Sequence, residues 1–340
     1  MNAVPLRGVF CYTTGRMFDV VTIGDIKLDT FVVLDHVSSV QCTLKMPECL
    51  LCLEYGAKIP VNVVDAQMAG SAPNVAVGLA RMGLKTAVVS NMGLDGTRAL
   101  TLRRFYEEGV SPAYIHVTRR EQSAYSVVLN YKGERTILSS QIKHEYHLPR
   151  KMARTKWIYV SEMGNGYERI YKEVVARTKK DGTYIGFNPG SIQIAERKKA
   201  LFDLIKNTYV LFVNLEEARA ITQQDTAEVH HLATALYRLG PKKTVITDGK
   251  NGAYSFDGTE LRHCPIFPGK KIESTGAGDA FATGYLGALM HGQLHDEALR
   301  WGSVNSASVV GFVGPQPGLL TTAKLRSRLR QHPSFRTILM

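Results

Sequence analysis

The sequence predicts an α/β fold in which a mostly parallel sheet is covered by helices on both faces, with a small lid of β-strands. Two observations support this prediction. Short runs rich in β-branched residues alternate with longer segments of helical periodicity, a pattern typical of repeated β-α-β units. In addition, 44% of the 340 residues are hydrophobic and 21% are charged, which suits a globular chain with a sizeable core.

The alternation begins near the N-terminus. Residues 18–24 form a β-branched run that ends in glycine, which indicates a buried strand. Residues 73–82 have the small apolar residues of a packed helix, and residues 85–91 return as a strand, so these three elements predict one parallel unit. Further strands are expected at 157–160, 183–187, 209–213 and 244–247. Further helices are expected at 99–108, 169–180, 198–205, 216–221, 226–239, 277–290 and 296–310.

Two segments interrupt this alternation. Residues 123–140 predict a hairpin of two strands joined at Lys132-Gly133, and residues 27–65 contain strand-like runs at 30–34 and 61–64. Neither segment suits a helix-covered sheet, so we expect them to form a β appendage. Ligands of open α/β sheets bind outside the carboxyl ends of the strands, and an appendage there would act as a lid.

The motif order, given below, favours one main domain over two. We expect one domain at 18–331 with an inserted lid, preceded by a disordered or mis-assigned leader at 1–17 and followed by a C-terminal tail at 332–340. An exposed lid strand, within 30–34 or 126–131, is a candidate for pairing with its copy across a two-fold axis. A homodimer through the lid is therefore one expectation.

The chain is basic, with 42 Lys+Arg against 30 Asp+Glu and a formal net charge of +12. These basic residues are scattered in short groups, without the aromatic interleaving or motif spacing of nucleic-acid-binding proteins, so no nucleic-acid partner is expected. The charge suits a small anionic ligand instead. No apolar run approaches the roughly 18 residues needed to span a bilayer, so no membrane partner is expected either.

Five cysteines are too few and too scattered for a secreted disulfide framework, which favours a reducing cytoplasm. Three of them lie close together with a histidine and include one C-x-x-C pair; the four residues are His36, Cys42, Cys49 and Cys52. Zinc binding, a disulfide and ordinary reduced thiols are all open interpretations of this cluster.

The densest glycine pattern, E-S-T-G-A-G-D, ends at Asp279 and leads into a predicted helix. It is not a dinucleotide fingerprint, because Phe281 occupies the third glycine position, and the Walker pattern G-x-x-x-x-G-K-[ST] occurs nowhere. The turn formed by Gly276, Ala277 and Gly278 places amides at a helix N-terminus, where the helix dipole favours an anion such as a phosphoryl group.

Asp279 lies beside this anion-binding turn. A carboxylate there can take a proton from an attacking hydroxyl group, which makes it a candidate general base. The alternative interpretation is a first-turn acid that only complements the helix dipole.

The segment 273–279 resembles the D-T-x-G-A-G-D signature of the ribokinase-like (PfkB) carbohydrate and nucleoside kinases. Four shorter motifs of that family occur in the expected order: G-D-I-K-L-D at 24–29, A-G-S-A-P-N at 69–74, N-L-E-E at 214–217 and T-D-G-K-N-G at 247–252. The resemblance extends from about residue 18 to residue 329.

The resemblance implies a ribokinase-like fold and an ATP-dependent transfer of a phosphoryl group to a hydroxymethyl group of a small sugar. It implies that Asp279 is the general base and that Gly276, Ala277 and Gly278 form the anion hole. Two alternatives stay open, a nucleoside kinase of the adenosine type and a non-catalytic sugar-binding regulatory homologue.

The resemblance also assigns the binding residues. Asp29, Gly70 and Asn74 are expected to hold the acceptor. Contacts to the nucleotide are expected from Asn214, Thr247, Gly249, Gly252 and Asn305. Glu217 is expected to bind Mg²⁺ through water, which suits an ion that keeps several of its waters.

Three positions in two motifs depart from the family pattern. Glu273 and Ser274 stand where the family usually has Asp and Thr, which makes activation by a monovalent cation such as K⁺ doubtful. Ala69 replaces the first glycine of the acceptor loop, so that either the acceptor pocket is narrowed or the residue is tolerated with a negative φ.

Overall fold

The computed structural model describes residues 18–34, 39–42, 49–131, 134–140 and 142–340. The strands, in chain order, are β1 (Phe18–Ile23), β2 (Lys27–Val33), β3 (Ser39–Cys42), β4 (Cys49–Cys52), β5 (Asn62–Ala69), β6 (Thr86–Gly93), β7 (Ser111–Thr118), β8 (Ala124–Tyr131), β9 (Glu134–Ser139), β10 (Thr155–Val160), β11 (Tyr184–Phe187), β12 (Val210–Asn214), β13 (Lys243–Thr247), β14 (Ala253–Phe256), β15 (Leu261–Cys264) and β16 (Ile338–Leu339). The helices are α1 (Ser71–Arg81), α2 (Gly96–Glu108), α3 (Glu168–Asp181), α4 (Ser191–Glu196), α5 (Lys199–Lys206), α6 (Leu215–Thr222), α7 (Val229–Arg238), α8 (Ala277–Met290), α9 (His295–Val309) and α10 (Thr322–Gln331).

Ten strands form the main sheet in the order β16-β15-β14-β13-β12-β11-β10-β1-β6-β7. Every pairing from β13 to β7 is parallel, and the three strands at the other edge are antiparallel. From β1 the chain continues to β6 and β7 on one side and later to β10 and β11 on the other. The order therefore reverses beside β1, and such a switch point creates a crevice at the carboxyl ends of the strands.

The main sheet is buried on both faces, as the sequence predicts. In β1, Val21 and Ile23 belong to one hydrophobic cluster, whereas Val20 belongs to a second cluster. Successive side chains of a strand point to opposite faces, so these two clusters are the two helix-covered layers. The first contains residues of α3, α5, α6 and α7, and the second contains residues of α1, α8, α9 and α10. The predicted fold class is confirmed.

A separate four-stranded sheet, in the order β5-β2-β8-β9, is the lid. It comes from the two segments that interrupt the predicted alternation, and β8 and β9 are the predicted hairpin, with its joint at 132–133 outside the described residues. The strands proposed for pairing with a second copy, β2 and β8, lie inside this sheet and already pair on both sides. That assignment was wrong, because the edges of the lid are β5 and β9.

Several elements were not predicted from the sequence. Strand β7 contains Pro112 and lies at the edge of the main sheet, the position where a strand tolerates proline. Strands β14 and β15 have only four residues each, and α4 has six. The tail expected at 332–340 contributes β16, which pairs with β15, so it belongs to the main sheet. Among the described residues, no helix is both long and apolar enough to cross a membrane.

Candidate active site

A cavity of about 490 Å³ lies between the lid and the carboxyl ends of the main strands. It opens at the switch point beside β1, because Asp25 follows β1 and Glu162 follows β10, and both line it. The lid contributes Lys27, Asp29 and Ser126 from the face of β2 and β8 that is turned inwards. Two helices begin at its floor, with Gly70, Ser71 and Asn74 at the start of α1 and Thr275, Gly276 and Asp279 at the start of α8.

Asp279, the predicted base, lies in the first turn of α8 at the point where α8 meets α1. One carboxylate oxygen accepts a hydrogen bond from Asn74 Nδ2 at 2.8 Å, and the other accepts one from Ser71 Oγ. Burial raises the pKa of Asp279, and the hydrogen bonds from Asn74 and Ser71 oppose this rise. The carboxylate is therefore held by two donors at the floor of the cavity.

The glycine turn at the start of α8 has two distinct glycine positions. Gly276 has a φ of +77°, and a Cβ there would lie 2.4 Å from Pro315 Cβ, so this position requires glycine. At Gly278 a Cβ would meet nothing within 4 Å, so the space beside the turn is open. The Ala277 amide donates to the Ser274 carbonyl at 3.2 Å, whereas no backbone acceptor is described for the amides of Gly278 and Asp279. The turn can therefore accept an anion.

At the opposite wall, Asp29 extends from the lid strand β2. It is 8% exposed, and no described residue donates a hydrogen bond to its Oδ1. Burial raises the pKa of Asp29 to about 6, although Lys27 and Ser126 oppose the rise. An unsatisfied buried acceptor costs free energy in a folded protein, and a ligand hydroxyl group would satisfy it.

Sequence reasoning missed an ion pair in the same wall. Lys27 Nζ lies 2.7 Å from Glu162 Oε1, and both side chains line the cavity. Lys27 and Asp29 are two residues apart on one strand and therefore share a face. That spacing was a signal for Lys27, but Glu162 is 135 residues away and no local pattern marks it.

Gly70 also lies where it was predicted, in the cavity wall. Its φ is +113°, and a Cβ there would lie 2.2 Å from the Asp25 carbonyl oxygen, so any side chain would separate α1 from the end of β1. The Asp25 carboxylate accepts hydrogen bonds from Tyr146 Oη at 2.6 Å and from the Gly164 amide at 2.8 Å. Asp25 thus fixes two loops around the cavity. Ala69 is buried at the end of β5 and is not a lining residue, so it does not narrow the cavity.

Four of the five predicted nucleotide residues lie next to each other at the ends of neighbouring strands. Asn214 and Thr247 are partners in the register of β12 and β13, and Gly249 and Gly252 belong to the turn that follows β13. The Asn214 side chain accepts from the Glu217 amide at 2.8 Å, and the Glu217 carboxylate accepts from the Asn214 amide at 2.9 Å. This reciprocal capping box starts α6.

Glu217 faces two environments, since its carboxylate caps the helix and its side chain also lines the cavity. Burial raises its pKa to about 7, although the Asn214 amide opposes the rise. A divalent cation nearby would hold the carboxylate ionised, and oxygen ligands of this kind fit Mg²⁺. The donor set therefore fits the predicted metal.

The prediction for Asn305 was wrong in its geometry. Asn305 is completely buried, its Nδ2 donates to the Ala280 carbonyl at 2.7 Å, and its Oδ1 accepts from the Leu320 amide at 3.0 Å. Both ends of the amide are satisfied by backbone, so the side chain joins α9 to α8 and to the segment before α10. It is not among the described residues that line the cavity.

Glu273, one of the departures from the family pattern, has a definite structural position. It is 2% exposed, and its two carboxylate oxygens accept hydrogen bonds from Thr275 Oγ1 and, at 2.9 Å, from the Gly314 amide. Glu273 therefore ties the signature turn to the loop at 311–314. In the cysteine cluster, His36 and the side chains of Cys42 and Cys49 lie outside the described residues, so its three interpretations stay predictions. Among the described residues, no group of three metal-ligating side chains occurs.

The geometry can be compared with known proteins. The sequence model for the pfkB family of carbohydrate kinases matches residues 30–322. The chain belongs to this family. The family resemblance given by the five motifs is thereby confirmed.

Relatives of this pfkB family chain include both sugar and nucleoside kinases. Ribokinase of Haemophilus influenzae is 25% identical over 297 residues, which cover 84% of this chain and 92% of that protein. A nucleoside kinase of Methanocaldococcus jannaschii is 22% identical over 303 residues, which cover 88% and 94% of the two chains. The structure of Arabidopsis thaliana ribokinase complexed with ribose and ATP has a TM-score of 0.77 at 19% identity and covers 93% of this chain and 99% of its own. The predicted enzyme class, a carbohydrate or nucleoside kinase, is confirmed.

Proposed function

We propose that this pfkB family kinase transfers the γ-phosphoryl group of ATP to a hydroxymethyl group of a small sugar. The observation that supports this most directly is the position of Asp279. Its carboxylate lies beside the open glycine turn of α8, at the floor of a cavity whose other wall presents the unpartnered Asp29 oxygen. A base, an anion-binding turn and an acceptor for sugar hydroxyl groups thus face one space.

In the proposed reaction, Asp279 accepts the proton of the hydroxymethyl group as its oxygen attacks the γ-phosphorus. The bond between that phosphorus and the oxygen bridging to the β-phosphorus breaks, and ADP leaves with the bonding electrons. The amides at the start of α8 stabilise the charge on the transferring group. Mg²⁺ would be held through water by Glu217, next to Asn214, and would neutralise phosphate charge. The lid excludes water that would otherwise hydrolyse ATP.

A sugar is favoured over a nucleoside by the lining of the cavity. The described lining residues include carboxylates, amides, hydroxyls, one ammonium group, one guanidinium group and the apolar side chains of Ile137, Ile142, Met163 and Ile192, but no Phe, Tyr, Trp or His. Polar groups of this kind suit an acceptor with many hydroxyl groups. A nucleobase has a flat apolar face that aromatic side chains bind by stacking, and this wall offers none.

An assay of ADP formation with ribose, fructose, 2-keto-3-deoxygluconate, adenosine, cytidine and inosine tests the acceptor class. We expect turnover with at least one of the sugars and little with the nucleosides. Turnover confined to nucleosides would contradict the sugar assignment, and binding without any turnover would favour the regulatory homologue.

Asp279→Asn tests the assigned base. The amide cannot take the proton, so we expect kcat to fall by roughly a thousandfold or more, while ATP affinity measured by calorimetry stays nearly unchanged. Asp203→Asn is the matched control, because Asp203 on α5 lies outside the cavity, its side chain is 43% exposed, and its described ion pair is with Lys199. Near-normal turnover of Asp279→Asn would exclude it as the base.

A further inference from the structure

Gln316 lies behind the catalytic end of the cavity. It is 1% exposed, it follows the loop at 311–314, and it is not among the described residues that line the cavity. None of the sequence motifs includes it. Its amide is nevertheless two hydrogen bonds away from Asp279, through Asn74.

The contacts form a continuous chain. Arg104 Nε donates to Gln316 Oε1 at 3.0 Å. Gln316 Nε2 donates to Asn74 Oδ1 at 3.0 Å and to the Met68 carbonyl at 3.1 Å. Asn74 Nδ2 then donates to Asp279 Oδ2 at 2.8 Å.

The direction of this chain is determined by its ends. An arginine side chain only donates, so the oxygen of Gln316 must face Arg104, and a carbonyl only accepts, so the NH₂ group must face Met68. The same NH₂ group requires the oxygen of Asn74 to face Gln316. The NH₂ group of Asn74 is then left to face Asp279, and a donor at this position favours the ionised carboxylate.

We propose that Arg104 and Gln316 are positioning residues that fix the amide of Asn74 so that its NH₂ group keeps Asp279 ionised as the base. The proposal rests on the function proposed above. It assigns a role in catalysis to two side chains that touch neither acceptor nor nucleotide. Amide side chains can rotate by half a turn within nearly the same volume, so without a fixed partner Asn74 could present its oxygen to Asp279 instead.

Other charged and titratable groups also face these residues. Lys27, Asp29, Glu162, Glu217 and the Tyr159 hydroxyl act on Asp279 through the cavity. On the outer side, Arg81 donates to the Gln316 carbonyl at 2.8 Å and pairs with Glu108, which also pairs with Arg104. The cavity groups are unchanged in every variant described below. Each variant makes the net charge more negative by one unit, so a shift in the titration of Asp279 that exceeds the shift in Arg81→Met reports the orientation of Asn74.

Gln316→Glu is the most direct test. An ionised glutamate only accepts, so Asn74 is expected to turn its NH₂ group towards position 316 and its oxygen towards Asp279. We expect the pKa of Asp279 to rise by about one unit, a tenfold change in its protonation equilibrium. The acidic limb of the kcat/KM profile should move to higher pH by the same amount, while KM for ATP stays unchanged.

The titration can be read without turnover, from the ¹³Cγ resonance of Asp279 in protein labelled at Asp and assigned with Asp279→Asn. Arg104→Met is the second variant. It alters a partly exposed side chain, and the side-chain amide of Gln316 is then no longer held in one orientation. We expect a smaller rise in the pKa of Asp279. Arg81→Met is the matched control, since it removes contacts to the Gln316 backbone and Glu108 but leaves the side-chain hydrogen bonds from Arg104 through Gln316 and Asn74 to Asp279 intact. It should lower stability without moving the pKa.

An unchanged pKa of Asp279 in both Gln316→Glu and Arg104→Met overturns the proposal. If Gln316→Glu does not fold, the result for Arg104→Met alone decides. A shift in the pKa of Asp279 in Arg81→Met that equals the shift in Gln316→Glu and Arg104→Met also overturns the proposal, because a general loosening of the loop would then be the cause. Since the titration does not depend on turnover, these results are separate from a failure of Asp279→Asn to lose activity, which would reject the proposed function.

Discussion

At the scale of single residues, Asp29 shows a conflict between stability and binding. Its carboxylate is buried with one oxygen unpartnered, and burial raises its pKa from 3.8 to about 6. The folded protein therefore binds a proton at Asp29 more tightly than the unfolded chain does. Stability from this group rises as pH falls through about 6 towards 4, and above pH 6 the ionised carboxylate destabilises the fold.

Asp29→Asn is accordingly expected to stabilise the protein at pH 8 by roughly 1–3 kcal/mol, because two pKa units correspond to about 3 kcal/mol at most. The gain should shrink as pH falls from about 6 towards 4, because Asp29 becomes protonated in the folded state. Urea unfolding of both proteins at pH 8 and pH 4.5 measures this, with Asp203→Asn as an exposed control. Acceptor affinity should fall in the same variant, and a loss of stability at pH 8 would contradict the argument.

Sequence motifs could find the residues whose position follows from one strand end or one helix start. Asp29, Gly70, Asn74 and Asp279 all line the cavity, Asp29 from the lid strand β2 and the other three from the starts of α1 and α8. Glu162 and Gln316 could not be found in this way. Their contacts span 135 and 242 residues, and a buried glutamine looks the same in sequence whether or not it orients a neighbour.

At the scale of elements, the two glycines at the start of α8, Gly276 and Gly278, differ in how well each would tolerate a side chain. Gly276→Ala forces a positive φ on a residue with a Cβ and brings that Cβ against Pro315. Gly278→Ala places its Cβ in open space, and alanine favours a helix. We therefore expect Gly276→Ala to lose roughly 1–3 kcal/mol of stability, whereas Gly278→Ala should keep or slightly raise it.

Both variants should have a lower kcat, although they should differ in stability. Gly276→Ala displaces the turn, and the methyl group of Gly278→Ala fills the space that the transferring phosphoryl group would occupy, so kcat should fall in both. Urea unfolding and steady-state kinetics on the same preparations distinguish the effects. Full activity of a stable Gly278→Ala protein would place the phosphoryl group elsewhere.

Most helices and parallel strands of the main sheet were predictable because each has its own periodicity and buried face, but α4 and α10 were not predicted. Strand β7 was not, since Pro112 and a largely solvated surface hide an edge strand. The segments that form the lid could be located from the sequence, but the order of the strands within the lid could not. Only the pairing of β2 with β5 and β8 showed that the two segments form one sheet with β5 and β9 at its edges.

At the scale of the whole molecule, the boundary of the domain lies beyond residue 331. Phe335 is 8% exposed and packs against Phe267, with ring centroids 5.1 Å apart. Both rings belong to the hydrophobic cluster under α8 and α9. The Met340 amide also donates to the Leu261 carbonyl at 2.9 Å, which extends the antiparallel edge of the main sheet.

Removal of residues 332–340 should therefore destabilise the entire main domain, because it exposes Phe267 and leaves β15 as an uncovered edge. We expect a loss of roughly 3 kcal/mol or more in urea unfolding, since truncating a buried Phe alone costs about that much. Phe335→Ala should reproduce most of the loss, and removal of 337–340 only a minor part. The segment does not line the cavity, so KM for ATP and for the acceptor should stay unchanged at low temperature. If the truncated protein is as stable as the full chain, the domain ends at residue 331, and the argument for a later boundary is wrong.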